Sequence, residues 1–365
     1  MNLKTFLLGT GAAFAVVTGA QAADLAVAEP VDYVKVCDAA GVGYWYIPGT
    51  DTCLKIGGNV REDINFHDDA LIAPGHTGNF NFVTETYLTA TAKSLTDYGW
   101  LTGYIAWEGD YKANGSSSDV YVDEAFLSLG PLLAGKTAST YDYGGGFTWD
   151  GSDLDADNSH SQVRLSWAAN GYGVLFGVED PRGTWGTAAG DDVFVGGVLD
   201  HYDIKIPDLV AAVTASQGPW DAKVSFGYAD LNSAHGDNGW GVQAGAKVKL
   251  DQIAQGDALL LKGAYAKNAY GFAADGNDQG PGAYWSALGS FQHFFTPQVY
   301  AAATFDYLDG PVFNRWQATG QLTWLPAHNF QVGPEVTFSH SDAYGITAKS
   351  DTWAGKLRLQ RDFGG

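Results

Sequence analysis

The stretch CLKIGGNVREDINF, residues 53–66, alternates apolar and polar side chains at period two. Leu54, Ile56, Val60, Ile64 and Phe66 share one face, and Lys55, Asn59, Arg61, Asp63 and Asn65 share the other. The run exceeds the ~5–6 residues usual in soluble sheets and is long enough for a tilted membrane strand.

The pattern continues to the end of the chain. In 352–363, Trp353, Leu357, Leu359 and Phe363 alternate with Lys356, Arg358, Gln360 and Asp362. Val163/Leu165/Trp167 against Gln162/Arg164/Ser166 is the same pattern, as is Val299/Ala301/Ala303/Phe305/Tyr307. Sixteen segments are predicted: 53–66, 80–93, 99–108, 121–129, 132–138, 161–169, 172–180, 208–217, 221–230, 239–250, 258–268, 283–294, 298–308, 315–325, 329–340 and 352–363. The stretch 192–206 has room for one more short strand.

Connections alternate between short (130–131, 170–171, 218–220, 295–297, 326–328, with 94–98 and 251–257 a little longer) and long (67–79, 109–120, 139–160, 181–207, 231–238, 269–282, 341–351), only 309–314 on the long side being brief. That rhythm belongs to an up-and-down outer-membrane barrel, with short periplasmic turns and long outer loops. In hydrocarbon every backbone N–H and C=O pairs within the protein, and without helices only a closed sheet achieves this. The polar face then lines water and the apolar face meets lipid, the reverse of soluble barrels. The expected fold is an all-β, 16-stranded antiparallel transmembrane barrel. Trp100, Trp107, Trp240, Tyr284, Trp316, Trp324 and Trp353, near segment ends, suit interfacial girdles.

Composition agrees. The chain has 365 residues, 48 of them Gly, with 14% aromatics and a formal charge of −21 from 20 Lys+Arg against 41 Asp+Glu. So acidic a balance disfavours nucleic acid as a partner. Met1 to Ala22 reads as a secretory signal: Lys4 is the basic n-region, Phe6 to Gly19 the apolar stretch and Ala20-Gln21-Ala22 the cleavage site. Beyond it no apolar run is long enough for a membrane helix. Cys37 and Cys53, an even pair in an exported chain, suggest a disulfide. Zinc is the rival, but no neighbouring His or Cys completes a tetrahedral site.

The residues YVKVCDAAGVGYWYIPGTDTCLKIGGN (33–59), VDEAFLSLG (122–130) followed by Gly135-Lys136, IPDLVAAV (from Ile206) and the closing LRLQRDF (357–363) resemble the alphaproteobacterial general porins of rhizobia and brucellae. The resemblance covers essentially the whole chain beyond the signal. It implies a periplasmic N-terminal segment at 23–52, a barrel at 53–363 and a homotrimer. It also implies a setting in outer-membrane lipid and lipopolysaccharide, and passive diffusion of small hydrophilic solutes. Phe363 matches the family's terminal aromatic, the assembly signal; here Gly364 and Gly365 follow it.

The family's third long loop folds into the lumen and narrows the pore. Here that loop is 139–160, with Asp142, Asp150, Asp153, Asp155 and Asp157 and no Lys or Arg. The shared-face rule puts Lys55, Arg61, Lys93, Arg164, Lys247, Lys262, Lys356 and Arg358 on the lumen side. Of these Arg61, Lys93, Arg164 and Arg358 are the candidate wall bases. Loop acids facing wall bases would create a transverse field, and with so few bases the pore is expected to prefer cations. Arg361 falls in the lipid register, from which it can snorkel to the interface.

Rival readings are weaker. Asp153-x-Asp155-x-Asp157 has half of a calcium-loop spacing, but Asn158 and Arg164 stand where Gly and Glu are needed. Gly144-Gly145-Gly146 lacks a following Lys-Ser/Thr and so is no phosphate cradle; it suits a bend. No HExxH or GxSxG motif is present, so neither enzyme chemistry nor a cofactor or metal is expected. A sugar-selective channel would need lumenal aromatics, whereas the lumen register reads mostly as Gly, Ser, Thr, Gln and charges. A secreted glycan-binding β protein would leave the rhythm of turns unexplained.

Overall fold

The computed structural model describes residues 35–67, 80–112, 119–149, 154, 156, 158–180, 192–195, 198–201, 206–230, 238–274, 281–343 and 349–364. The signal at 1–22, residues 23–34 and the loop acids Asp150, Asp153, Asp155 and Asp157 lie outside them.

The strands run β1 (Trp45–Tyr46), β2 (Cys53–His67), β3 (Phe80–Thr96), β4 (Gly99–Lys112), β5 (Val120–Leu129), β6 (Leu132–Ala138), β7 (Ser159–Ala169) and β8 (Tyr172–Glu179). After these come β9 (Asp192–Val195), β10 (Val198–His201), β11 (Asp208–Gln217), β12 (Trp220–Ala229), β13 (Gly239–Lys249) and β14 (Ala258–Lys267). The last five are β15 (Ala283–Thr296), β16 (Val299–Asp309), β17 (Phe313–Ala327), β18 (Phe330–Ala343) and β19 (Lys349–Phe363). β2 to β8 and β11 to β19 pair antiparallel in sequence order, and β8 pairs with β11. β19 returns to β2, with Arg358 opposite Asp63, and the sheet closes as a barrel of sixteen strands. β1 adds only a short rung to β2.

Two differences from the sequence expectation have local causes. The stretch 192–206 holds two short strands, β9 and β10, which pair with each other outside the ring. β4 continues to Lys112, past the expected 108, because its end still has a full partner in β3, with Lys112 opposite Val83.

Register carries the faces from strand to strand. Arg358 faces Asp63, Asp63 faces Val83, and every second residue from these turns into the lumen. Apolar side chains on the other face, such as Val163, Leu165, Trp167, Leu261, Phe305 and Leu322, are exposed, as a lipid-facing surface requires. The β7–β8 turn is Asn170-Gly171, both at positive φ (54° and 80°), the two-residue geometry that matches strand twist.

Two residues expected in the girdles are not there. Tyr284 is wholly buried in the lumen register, its ring against Tyr270 at 5.2 Å. Trp100 packs against the N-terminal disulfide block. Trp107, Trp240, Trp324 and Trp353 do face outward. The lumen register is also more aromatic than expected, with Tyr87, Tyr104 and Tyr121 pointing inward and Phe126 stacked on Tyr104 at 5.0 Å.

Candidate functional site

Loop 3, between β6 and β7, lies inside the barrel. At its start Ser139 Oγ and Thr140 N–H each donate to Glu179 of β8 at 2.6 Å. The Tyr143 hydroxyl donates to the Asp221 carboxylate of β12 at 2.7 Å. Burial and that carboxylate raise the Tyr143 pKa, which keeps the phenol a donor. Phe147 N–H donates to Ser290 Oγ of β15 at 2.8 Å, and Thr148 shares a hydrogen bond with Thr304 of β16 at 2.9 Å. Trp149 N–H lies 2.8 Å from both Gln321 Oε1 of β17 and Glu335 Oε2 of β18. The described part of loop 3 thus follows the wall from β8 round to β18.

The triple glycine makes this course possible. Gly144 has φ +87°, a conformation unfavourable for a side chain. Gly146 passes so close to the wall that a Cβ would stand 2.4 Å from Thr304 Oγ1.

Charges gather in two groups. Lys262 of β14 donates to Gly144 O at 2.8 Å and lies 3.7 Å from the Asp142 carboxylate. Lys223 of β12 donates to Asp142 O. Asp142 therefore meets its bases at contact distance, beneath the loop rather than across open water. In the second group Arg358 grips Asp63 bidentately, at 2.8 and 2.7 Å, and lies under the Trp149 ring at 5.1 Å. Arg61 joins the group through Glu85 and Asp63, and Lys356 lies 3.9 Å from Asp63.

Of the bases expected on the wall, Arg61 and Arg358 come together. Arg164, on β7, is a lumen-face neighbour of the Glu179 that anchors the start of loop 3 and also lies in the field of Glu124. Lys93 is drawn to the periplasmic end, where it donates to Ala40 O at 3.3 Å and sits over the Tyr44 ring. That block is closed by a Cys37–Cys53 disulfide with Cα atoms 6.0 Å apart. Arg361, in the outward register, donates to His328 O in the periplasmic β17–β18 turn. Lys223 was missed by sequence reasoning, although the alternation through Lys223, Ser225 and Gly227 contained the signal.

A closed sheet with an apolar outside, a polar inside and an inserted loop forms a channel. The profile described as porin subfamily matches residues 24–362. The chain belongs to the porin subfamily. Over its full length this porin is 28% identical to porin Omp2b of Brucella canis, with all of both chains covered. A putative outer membrane protein of Sinorhizobium fredii, y4fJ, is 44% identical over 155 residues, covering 40% of this chain and 45% of that protein. Among solved structures, the outer membrane channel DcaP of Acinetobacter baumannii superimposes with a TM-score of 0.73 at 16% identity. The match covers 87% of this porin and 99% of that chain. Family and fold together make this porin a general diffusion channel of the outer membrane.

Proposed function

We propose that loop 3 sets the narrowest part of this porin and that the pore prefers cations. The observation that carries the reading is the chain of hydrogen bonds tying residues 139–149 to the lumen wall from β8 to β18. Asp142, Asp150, Asp153, Asp155 and Asp157 supply negative charge on the loop, and Arg61, Arg164 and Arg358 are the wall bases set against it. The formal charge of −21 supports the sign of the preference. Residues 1–22 act as a cleaved export signal, Phe363 as the assembly signal, and the working unit is a homotrimer in lipopolysaccharide-bearing membrane; the family resemblance supports all three.

The test is a reversal potential across a planar bilayer under a KCl gradient. Wild type is expected to favour K⁺, and a variant with all five loop aspartates changed to Asn is expected to favour it less. Anion preference in the wild type would reject the reading.

A further inference from the structure

Loop 3 shares the lumen with a second loop. The β14–β15 connection turns inward, and Tyr270–Phe272 form a short 3-10 turn. The Phe272 ring lies on Gly227 and Gly241 of the wall, so close that a Cβ on either would stand 2.5 or 2.4 Å from it. Tyr141 of loop 3 packs on Phe272 with centroids 4.8 Å apart and donates its hydroxyl to Phe272 O at 2.9 Å. Asn158 Nδ2 donates to Gly271 O at 3.1 Å, and Ser286 Oγ to Ala273 O at 2.6 Å. The two loops thus make one plug, its apolar core including Leu154, Ala156, Leu308 and Phe313, over the wall from β11 to β17.

β3, β4 and β5 lie outside that arc. In register the inward face of a strand takes every second residue, so adjacent residues point to opposite sides. β5 breaks this rule at a bulge, where Ala106 pairs with Glu124 but Trp107 pairs with Val122. Asp123 is the extra residue, and the bulge turns both Asp123 and Glu124 into the lumen. Asp123 accepts from Tyr87 at 2.9 Å and Glu124 from Thr137, both lumen residues. Glu108 stands opposite Tyr121 on the same lumen face.

The chemistry of these partners decides the field. Asp63 and Glu85 are paired with arginines, and Asp110 with Lys112 at 2.6 Å. Asp123 and Glu124 accept from hydroxyls, which stabilise a carboxylate without cancelling its charge, and Arg164 acts on Glu124 through its field and forms no ion pair with it among the described residues. Tyr87, Tyr104 and Phe126 add aromatic surface beside them, which favours organic cations by cation–π attraction.

We propose that the permeation path runs along the β3–β5 wall, displaced from the barrel axis by the two-loop plug, and that Glu108, Asp123 and Glu124 select cationic solutes there. The inference rests on the cation-preferring reading above and moves the main determinant from the loop to the wall.

Two experiments test it. The triple variant Glu108→Gln/Asp123→Asn/Glu124→Gln is compared with the loop-aspartate variant in the same KCl gradient. The wall variant is expected to lower the K⁺/Cl⁻ permeability ratio severalfold, and more than the loop variant does. If only the loop variant shifts the ratio, the loop reading stands and this inference fails. If neither shifts it in a conducting pore, both fail.

The second experiment locates the path without relying on that variant folding. Both native cysteines are joined to each other, so an introduced cysteine is the chain's one free thiol. Glu108→Cys treated with a cationic thiosulfonate reagent should lower the current in steps. Thr319→Cys, on β17 beside the Trp149 anchor, should not respond. The opposite pattern would overturn the inference.

Discussion

Gly146 shows how tightly a single position is fitted. Its missing side chain leaves room for Thr304, which bonds Thr148 and Ser290 at 2.9 and 2.8 Å. A methyl group there must break that set, at about 1–3 kcal/mol for an overpacked site. Gly146→Ala is expected to push loop 3 off the wall into the passage and lower single-channel conductance, read in a planar bilayer. A second residue, Asp257 in the periplasmic β13–β14 turn, has a pH signature. It is buried, which opposes its charge, but His293 Nδ1 at 2.7 Å and Phe294 N–H at 2.8 Å hold its carboxyl below the ordinary value. A depressed carboxyl pKa contributes stability that is present above the unfolded value of about 3.9 and is lost as pH falls through the folded one. The temperature at which the folded band shifts mobility in gel electrophoresis should therefore drop below about pH 4. Asp257→Asn should weaken that acid dependence.

At the scale of elements, the strands were legible because lipid on one side and water on the other force a strict two-residue period. The segment predicted at 132–138 is β6 to the residue, and 208–217 is β11. The β5 bulge was not legible, since an extra residue looks like ordinary alternation until the partner strand is known. For the same reason VDEAFLSLG marked a resemblance without revealing that Asp123 and Glu124 both face inward. The N-terminal block was legible from its two cysteines, and it packs Tyr46 and Trp100 against the disulfide. Closing a loop of this length is worth about 3 kcal/mol by chain entropy. Cys37→Ser/Cys53→Ser is expected to expose this block to limited proteolysis while channel conductance stays near wild type, because the block contributes only β1 to the sheet.

At the scale of the whole molecule, closure and topology followed from the rhythm of short and long connections. The filling of the lumen did not. Which wall a loop leans on depends on contacts far apart in sequence, such as Tyr141 with Phe272 and Trp149 with Glu335. The glycines beneath the aromatic rings, Gly227, Gly241 and Gly245, look like weak strand formers until those rings are seen on them. Tyr141→Phe removes one hydrogen bond between the two loops, worth about 0.5–1.5 kcal/mol, and leaves the Phe272 carbonyl buried. Current noise in single-channel records should rise, with the mean conductance little changed.

The central claim is that loop 3 narrows the pore. Replacing residues 142–157 by a short Gly-Ser linker and measuring single-channel conductance in KCl tests it most directly, with folding checked by the heat-dependent shift in gel mobility. A severalfold rise in conductance with weaker cation preference is the predicted result. A folded variant with wild-type conductance and selectivity would contradict the account.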